Sequence, residues 1–173
     1  MTPAKMRAYE QAFPKAAAGA LNKMAAQSKT ESSRLVRERY NVKKSDLDPA
    51  FTIRRATSSS LQSVVKAKGR RISLIHFGAR GTIPPRRGTV GVTVEVIRGR
   101  RLAVAGSFLV AMKSSRARGI FVRKGQPRFP IQKLTGPSIP QMFYATKVYG
   151  NLVRFVDTHL PKLLADAIKF RQA

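Results

Sequence analysis

The fold of this chain is decided by the stretch from Gly119 to Met142, which reads Gly-Ile-Phe-Val-Arg-Lys-Gly-Gln-Pro-Arg-Phe-Pro-Ile-Gln-Lys-Leu-Thr-Gly-Pro-Ser-Ile-Pro-Gln-Met. Two apolar runs, residues 120–122 and 130–134, are separated by a Lys-Gly-Gln-Pro sequence. Short apolar runs bounded by turn residues are typical of strands. The stretch therefore predicts two short strands joined by a turn.

The second run is followed by signals for the start of a helix. Gly136-Pro137 predicts a break in the chain, and Ser138 with Gln141 three residues later forms a capping-box pattern. Pro140 falls in the first helical turn, where its missing N–H costs no hydrogen bond. We expect this segment to close a sheet and to begin the long C-terminal helix.

The chain before this stretch predicts a helix and then a series of strands. Residues 14–40 carry a stripe of small and apolar side chains at helical spacing, which favours packing on the protein's own sheet over a subunit interface. From residue 49 the pattern changes to apolar runs at residues 51–53, 61–67 and 72–77. Valines alternate from Val90 to Val96, and the turn Arg98-Gly99-Arg100-Arg101 predicts a hairpin with residues 102–112.

This order of elements predicts an α+β fold, an antiparallel β-sheet meander flanked by an N-terminal helix and a long C-terminal helix. Because Pro14 and Pro161 interrupt helical patterns, we expect residues 1–14 to form an N-terminal arm and the C-terminal helix to restart at Pro161. Residues 15–173 are expected to form a single α+β domain. No apolar run approaches the roughly 20 residues that a membrane span needs.

The net charge of the chain predicts an acidic partner. Its 34 Lys and Arg against 8 Asp and Glu give a formal charge of +26, and Glu95 is the only acidic residue between residues 49 and 156. Alternate turns of a meander project from one edge of the sheet, so we expect several basic clusters to form one positive rim. The predicted contacts to DNA or an acidic partner are Arg70, Arg71, Arg86, Arg87, Arg98, Arg100, Arg101, Arg116, Arg118, Arg123 and Lys124.

Two kinds of partner fit these clusters, and the sequence leaves both open. The preference for Arg over Lys suits phosphate recognition, because the planar guanidinium group binds phosphate through two parallel hydrogen bonds. Phe77, Phe108, Phe121 and Phe129 lie inside apolar runs, which favours core packing over base stacking and predicts contacts to the DNA backbone. Acidic neighbours in a protein assembly would satisfy the same charge.

No sequence pattern typical of an enzyme is present. His76 lies in an apolar run and His159 near a helix end, and Asp46 with Asp48 forms a turn rather than a metal site. The chain has no cysteine, and it contains no phosphate-binding loop, zinc-protease helix or nucleophile elbow. We expect no catalytic residue, no cofactor and no metal.

Ordered motifs along most of the chain resemble those of a known family. Gly119-x-Phe121-x-Arg123-x-Gly125, followed by Pro130-Ile131-x-Lys133-Leu134-x-Gly136-Pro137-Ser138-Ile139-Pro140-Gln141-Met142, is similar to the prophage minor tail protein Z family of long-tailed phages. Residues 39–47, 72–80 and 91–94 fit the same pattern, so the resemblance runs from about residue 16 to residue 164. The arm before Pro14 matches nothing in it. The residues assigned to a structural or assembly motif are Gly119, Phe121, Pro130, Gly136, Pro137 and Pro140.

The resemblance implies a structural virion protein that completes the head-proximal end of a phage tail and supports head–tail joining and DNA positioning at the neck. It also implies self-assembly into a ring, expected to be hexameric. The implied neighbours are the tail terminator, the head–tail connector proteins and genomic DNA in the neck channel, with no membrane partner. Its location would be the virion tail, reached from the host cytoplasm during assembly. The alternative hypothesis is a small basic protein that binds nucleic acid without sequence preference.

Overall fold

The computed structural model describes residues 3–81, 91–111, 118–127 and 129–170, with side chains from residue 12 to residue 169 of these ranges. It confirms the α+β class. The helices are α1 (Pro3–Arg39), α2 (Lys44–Leu47), α3 (Ile139–Phe143) and α4 (Thr146–Phe170). The strands are β1 (Phe51–Arg54), β2 (Val64–Ala67), β3 (Arg71–Ser73), β4 (Thr93–Ile97), β5 (Arg100–Ala103), β6 (Ser107–Ala111), β7 (Arg118–Arg123), β8 (Ile131–Lys133) and β9 (Thr135–Ser138).

Within these residues the strands form four small antiparallel sheets rather than one continuous meander. Strands β6, β7 and β8 form a three-stranded meander, and β1–β2 and β4–β5 are two-stranded sheets. The fourth sheet pairs β3 with β9, which are far apart in sequence. The sequence pattern indicated most of these strands, but neither β9 nor the division of the strands into sheets.

The chain divides into two compact units. The first comprises Met1–Leu35, Asp48–Lys68 and Phe143–Ala173, and the second comprises Val36–Leu47 and Gly69–Met142. The expected division into an arm of residues 1–14 and a single domain of residues 15–173 stays a prediction.

In the first unit, helix α4 packs against helix α1. The small-residue stripe predicted on α1 is buried at Ala17, Met24 and Ser28. Met24 shares the lining of an apolar groove with Leu152 and Val156 of α4. The unit thus buries its apolar residues mainly between two helices. Small side chains suit this arrangement because they let the helix axes approach closely.

Both helices of the first unit run through a proline, contrary to the expectation from sequence. Pro14 lies inside α1, which is continuous from Pro3, and Pro161 lies inside α4. An interior proline costs about 3 kcal/mol because it removes a backbone hydrogen bond and crowds the preceding turn. The packing of α1 and α4 against each other offsets this cost.

The core of the second unit is built from several of its short elements. Val36, Leu47, Phe77, Ile120 and Met142 are all fully buried. Phe77 follows a 3-10 turn at Leu74–His76, so the predicted strand over residues 72–77 is a short strand, β3, followed by a turn. The single strand predicted over residues 102–112 is likewise split into β5 and β6, with Gly106 at a φ of 66° between them.

The predicted capping box is confirmed, but the helix that it begins is short. The Ser138 N–H donates to Gln141 Oε1 at 2.9 Å, and the Gln141 N–H donates to Ser138 Oγ at 3.4 Å. These bonds begin α3, whereas the long C-terminal helix begins separately at Thr146. The chain break predicted at Gly136-Pro137 was wrong, because both residues lie in strand β9.

Candidate polyanion-binding surface

The described residues among the predicted contacts all belong to the second unit. Arg71 begins β3 and Arg70 directly precedes it, and both are exposed. Arg98, Arg100 and Arg101 lie at the β4–β5 turn. Arg118 and Arg123 lie at the two ends of β7, followed by Lys124. Arg86, Arg87 and Arg116 fall outside the described residues.

The β4–β5 turn is organised by the one carboxylate of this region. Gly99 adopts a φ of 76° and donates its N–H to Glu95 Oε1 at 3.0 Å. The other oxygen, Glu95 Oε2, lies 3.1 Å from Arg101 Nη2. The hydrogen bond from the Gly99 backbone, with the nearby charges of Arg101 and Arg98, holds the pKa of Glu95 below its ordinary value of 4.5.

Two arginines of this turn also bond to backbone carbonyls. The Arg98 side chain donates through Nε to the Arg37 carbonyl. The backbone N–H of Arg98 donates to the Arg39 carbonyl at 3.0 Å, so Arg98 caps the end of α1. Arg101 Nη1 donates to the Gly78 carbonyl at 2.9 Å. Arg100 is exposed and makes no such bond among the described residues. Within one predicted cluster, two side chains thus have bonds inside the fold, and Arg100 points its charge at solvent.

We expect Arg101→Gln to lower the free energy of unfolding by about 1 kcal/mol, because it breaks the ion pair with Glu95 and the bond to the Gly78 carbonyl. Arg100→Gln is the matched control and should stay within about 0.5 kcal/mol of the unsubstituted protein. Urea unfolding of the two variants measures the difference. Equal stabilities would contradict the internal role of Arg101.

Because the pKa of Glu95 is lowered in the folded protein, we expect this residue to account for part of the stability that the fold loses at low pH. A carboxyl group whose pKa is lower in the folded state contributes stability above its unfolded pKa and loses it as the pH falls through the folded pKa. Glu95→Gln should therefore be less stable than the unsubstituted protein at neutral pH, and the gap should close as the pH falls below 4.5 and through the lower pKa of the folded state. Thermal unfolding across this pH range tests the expectation, and a gap that persists at low pH would contradict it. Glu31, whose pKa is lowered by its hydrogen bond from Arg34, supplies an acid response that this substitution leaves in place.

The phenylalanines predicted to pack in the core have three different environments. Phe77 and Phe121 are buried as expected. Phe108 is only half-buried, and the guanidinium carbon of Arg123 lies 5.7 Å from its ring centroid. Phe129 is 65% exposed, so the expectation of core packing was wrong there. An aromatic ring in contact with a basic side chain is therefore a feature that the sequence pattern did not indicate.

Two glycines of the predicted assembly motif are required by close packing. A Cβ added at Gly119 would lie 2.8 Å from Phe121 Cε2, and one added at Gly136 would lie 2.7 Å from Phe77 Cε2. Pro140 is in the first turn of α3, as predicted. Pro137 lies in β9, and Pro130 lies just before β8. Close packing thus explains why glycine occupies these two positions. A role of this motif in assembly stays a prediction.

Comparison with known protein families identifies the family of the chain. A family model described as prophage minor tail protein Z (GPZ) matches residues 6–172. The chain belongs to this family. The match also includes residues 6–14 of the predicted arm, which the motifs had left unplaced. No curated protein and no solved structure shows a significant match.

Membership of the minor tail protein Z family makes the protein a structural component of a phage tail. The family is not enzymatic, and its partners include other tail proteins. Among the described residues, no cluster of His, Asp and Glu has a composition suited to holding a metal ion. None of the described helices is both long and apolar enough to cross a membrane.

Two features of the surface were missed in the sequence analysis. One is Lys133, which pairs across the sheet with Phe121. The other is the ion pair between Glu95 and Arg101. For Lys133 the sequence did carry a signal. Side chains alternate between the two faces of a strand, so Lys133 was bound to share a face with Ile131. A lone acid six residues before an arginine was a weak signal for the second.

Proposed function

We propose that this member of the minor tail protein Z family completes the head-proximal end of the phage tail and supports the joining of tail to head. Family membership over residues 6–172 carries the proposal. On this proposal the protein assembles into a hexameric ring at the tail axis. Its neighbours are the tail terminator and the head–tail connector proteins, and genomic DNA passes through the neck channel.

The charge of the longer segment of the second unit, Gly69–Met142, supports a position at the neck. Gly69–Met142 contains 15 Lys and Arg and a single acidic residue, Glu95, whose two carboxylate oxygens already bond to Gly99 and Arg101. Cations without carboxylate partners in the same region require counter-charge from outside. A neck supplies it as DNA and as acidic protein surfaces.

Deletion of the gene, with electron microscopy and titration of the lysate, tests the proposal. We expect full-length tails that stay unjoined to heads, or joined particles that do not infect, together with a loss of titre restored by the gene in trans. Normal infectious particles from the deletion would overturn tail completion. They would leave the alternative of a nucleic-acid-binding protein that is not needed in the neck.

Complementation with variants tests which charges matter. The test variant combines Arg70→Gln, Arg71→Gln and Arg118→Gln, which removes three exposed charges of the second unit. The control combines Arg54→Gln, Arg55→Gln and Lys66→Gln, which removes three exposed charges of the first unit. We expect joined particles to fall for the test variant and to be restored by the control. Equal yields from the two would remove the predicted contacts at β3 and β7 from the proposal.

The ring is tested separately on the purified protein. Mass photometry and negative-stain microscopy are expected to show a closed hexamer at the concentrations found during assembly. A protein that stays monomeric, both alone and with purified tails, would overturn the ring while leaving the deletion result to decide tail completion.

A further inference from the structure

One face of the three-stranded sheet places cations beside aromatic rings. The register pairs Phe108 of β6 with Phe121 of β7, and Phe121 with Lys133 of β8, so these three side chains lie in a row on one face. Arg123 lies two residues beyond Phe121 and pairs with Ile131, which puts both on the same face. We name the face of Phe108, Phe121, Arg123 and Lys133 the cationic sheet face.

The opposite face of the sheet is buried at its centre. Ile120 and Leu109 form a cross-strand pair there and are 0% and 7% exposed. Because one face of the sheet packs into the core, the cationic sheet face is the one from which Arg123 and Lys133 reach solvent, and both are exposed.

The two aromatic rings of this face differ in exposure, and each lies beside a cation. Phe121 is 6% exposed, although it shares a face with two exposed cations. A Cβ added at Gly119 would touch both Phe121 Cε2, at 2.8 Å, and Lys133 Cε, at 3.5 Å, so the ring and the lysine stem converge over the glycine. The Arg123 guanidinium lies over Phe108 at 5.7 Å from the ring centroid. Rings that hold cations in this way orient them and are not available for stacking.

The charges of this face have no internal counter-charge. Neither Arg123 nor Lys133 pairs with a carboxylate among the described residues, and the one acid of Gly69–Met142, Glu95, is bonded within its own turn. Side chains at diagonal positions on neighbouring strands, such as Arg123 and Lys133, have Cα atoms about 7–8 Å apart. Long basic side chains at that separation span neighbouring charges of a regular polyanion.

We propose that the cationic sheet face binds the phosphate backbone of duplex DNA without reading its sequence, which rests on the proposed position of the protein at the neck. Single-stranded DNA is bound mainly by stacking of bases on open aromatic rings, whereas here Phe121 is buried and the half-buried Phe108 already lies under Arg123. Protein partners are anchored by apolar side chains entering pockets, and here each ring already lies beside a cation. Phosphate contacts need only oriented cations, and these are what the face presents.

Fluorescence anisotropy with a short labelled duplex, titrated over a range of salt concentrations, tests this site. The test variant combines Arg123→Gln and Lys133→Gln. Each lost phosphate contact is expected to weaken binding about eightfold at 0.1 M salt and to reduce the slope of log affinity against log salt by about 0.9. The double variant should therefore bind about sixtyfold more weakly, with a slope smaller by about 1.8.

Two matched variants separate site from net charge. Arg55→Gln with Lys66→Gln removes the same charge from exposed positions of the first unit and should change affinity far less. Arg123→Lys with Lys133→Arg keeps both charges and should retain binding. Circular dichroism checks that all three variants are folded.

Three outcomes would overturn the proposal. One is equal loss of binding in the test and net-charge variants, which would mean diffuse attraction with no site. Another is tighter binding of single-stranded DNA that Phe108→Leu abolishes, which would mean base stacking. The third is competition by polyglutamate as strong as by unlabelled duplex of equal charge, which would mean a surface for acidic proteins. The deletion phenotype does not enter this measurement, so failure of the DNA site and failure of tail completion are distinguishable.

Discussion

Gly136→Val is expected to lower the free energy of unfolding by about 3 kcal/mol, because it forces methyl groups into a filled core. Even the first added carbon would lie 2.7 Å from Phe77 Cε2 and 3.2 Å from Leu74 Cδ2. Phe77 is 0% exposed and Leu74 is 9% exposed, so neither side chain has room to withdraw. Strand β9, which holds Gly136, would have to move away from β3 and weaken their pairing.

Urea unfolding followed by circular dichroism measures this effect. Gly150→Ala is the control, since Gly150 lies in α4 and an added Cβ meets nothing within 4 Å. It should stabilise the protein by about 0.5–1 kcal/mol, because alanine is the better helix former. An unfolding midpoint for Gly136→Val equal to that of the unsubstituted protein would show that the site is less tightly packed than its distances indicate.

Phe51→Ala is expected to cost about 3–5 kcal/mol, the usual range for removing a buried phenylalanine. Phe51 is 2% exposed and packs edge-on against Phe143, with ring centroids 5.6 Å apart. Both residues belong to the first unit. The substitution would leave a cavity between β1 and the ring of Phe143.

Tyr144→Ala provides the comparison for Phe51→Ala within the same aromatic cluster. Tyr144 also packs against Phe143, at 4.9 Å between ring centroids, but it is 60% exposed. Its loss should cost about 1 kcal/mol, the contribution of an aromatic pair, rather than that of a buried side chain. Chemical unfolding of both variants is the measurement, and equal costs would contradict the central position given to Phe51.

Local patterns in the sequence predicted those parts of the fold that depend on neighbours in the chain. The alternating valines gave the hairpin of β4 and β5, and Ser138 with Gln141 gave a capping box that the structure contains. Each of these features is complete within a few residues. Their signals are therefore present in a short window of sequence.

Features that depend on distant residues were not predictable in this way. Gly136-Pro137 has the composition of a turn, yet it lies in a strand because β3, more than sixty positions earlier, supplies its partner. Pro14 and Pro161 have the local character of helix breakers, but the packing of α1 against α4 keeps both helices continuous. Tertiary contacts overrode local preference in each case.

The candidate surface shows the same limit. The sequence located the basic clusters, but Arg98 and Arg100 looked equivalent, because the carbonyl that accepts from the Arg98 side chain, that of Arg37, lies 61 residues away at the end of α1. Lys133 was passed over because it belongs to none of the basic clusters in the sequence, although the register brings it beside Phe121. Family membership, in contrast, was recoverable from motifs in their order along the chain.

The isolation of Glu95 has a consequence for the protein before assembly. With its only carboxylate already bonded inside a turn, Gly69–Met142 must fold against the mutual repulsion of its 15 cations. Multivalent anions relieve such repulsion, so on the proposed binding of DNA we expect the free subunit to be least stable in dilute buffer and more stable once DNA is bound. Resistance to heat would then report how far a subunit has progressed from the free pool into the finished particle.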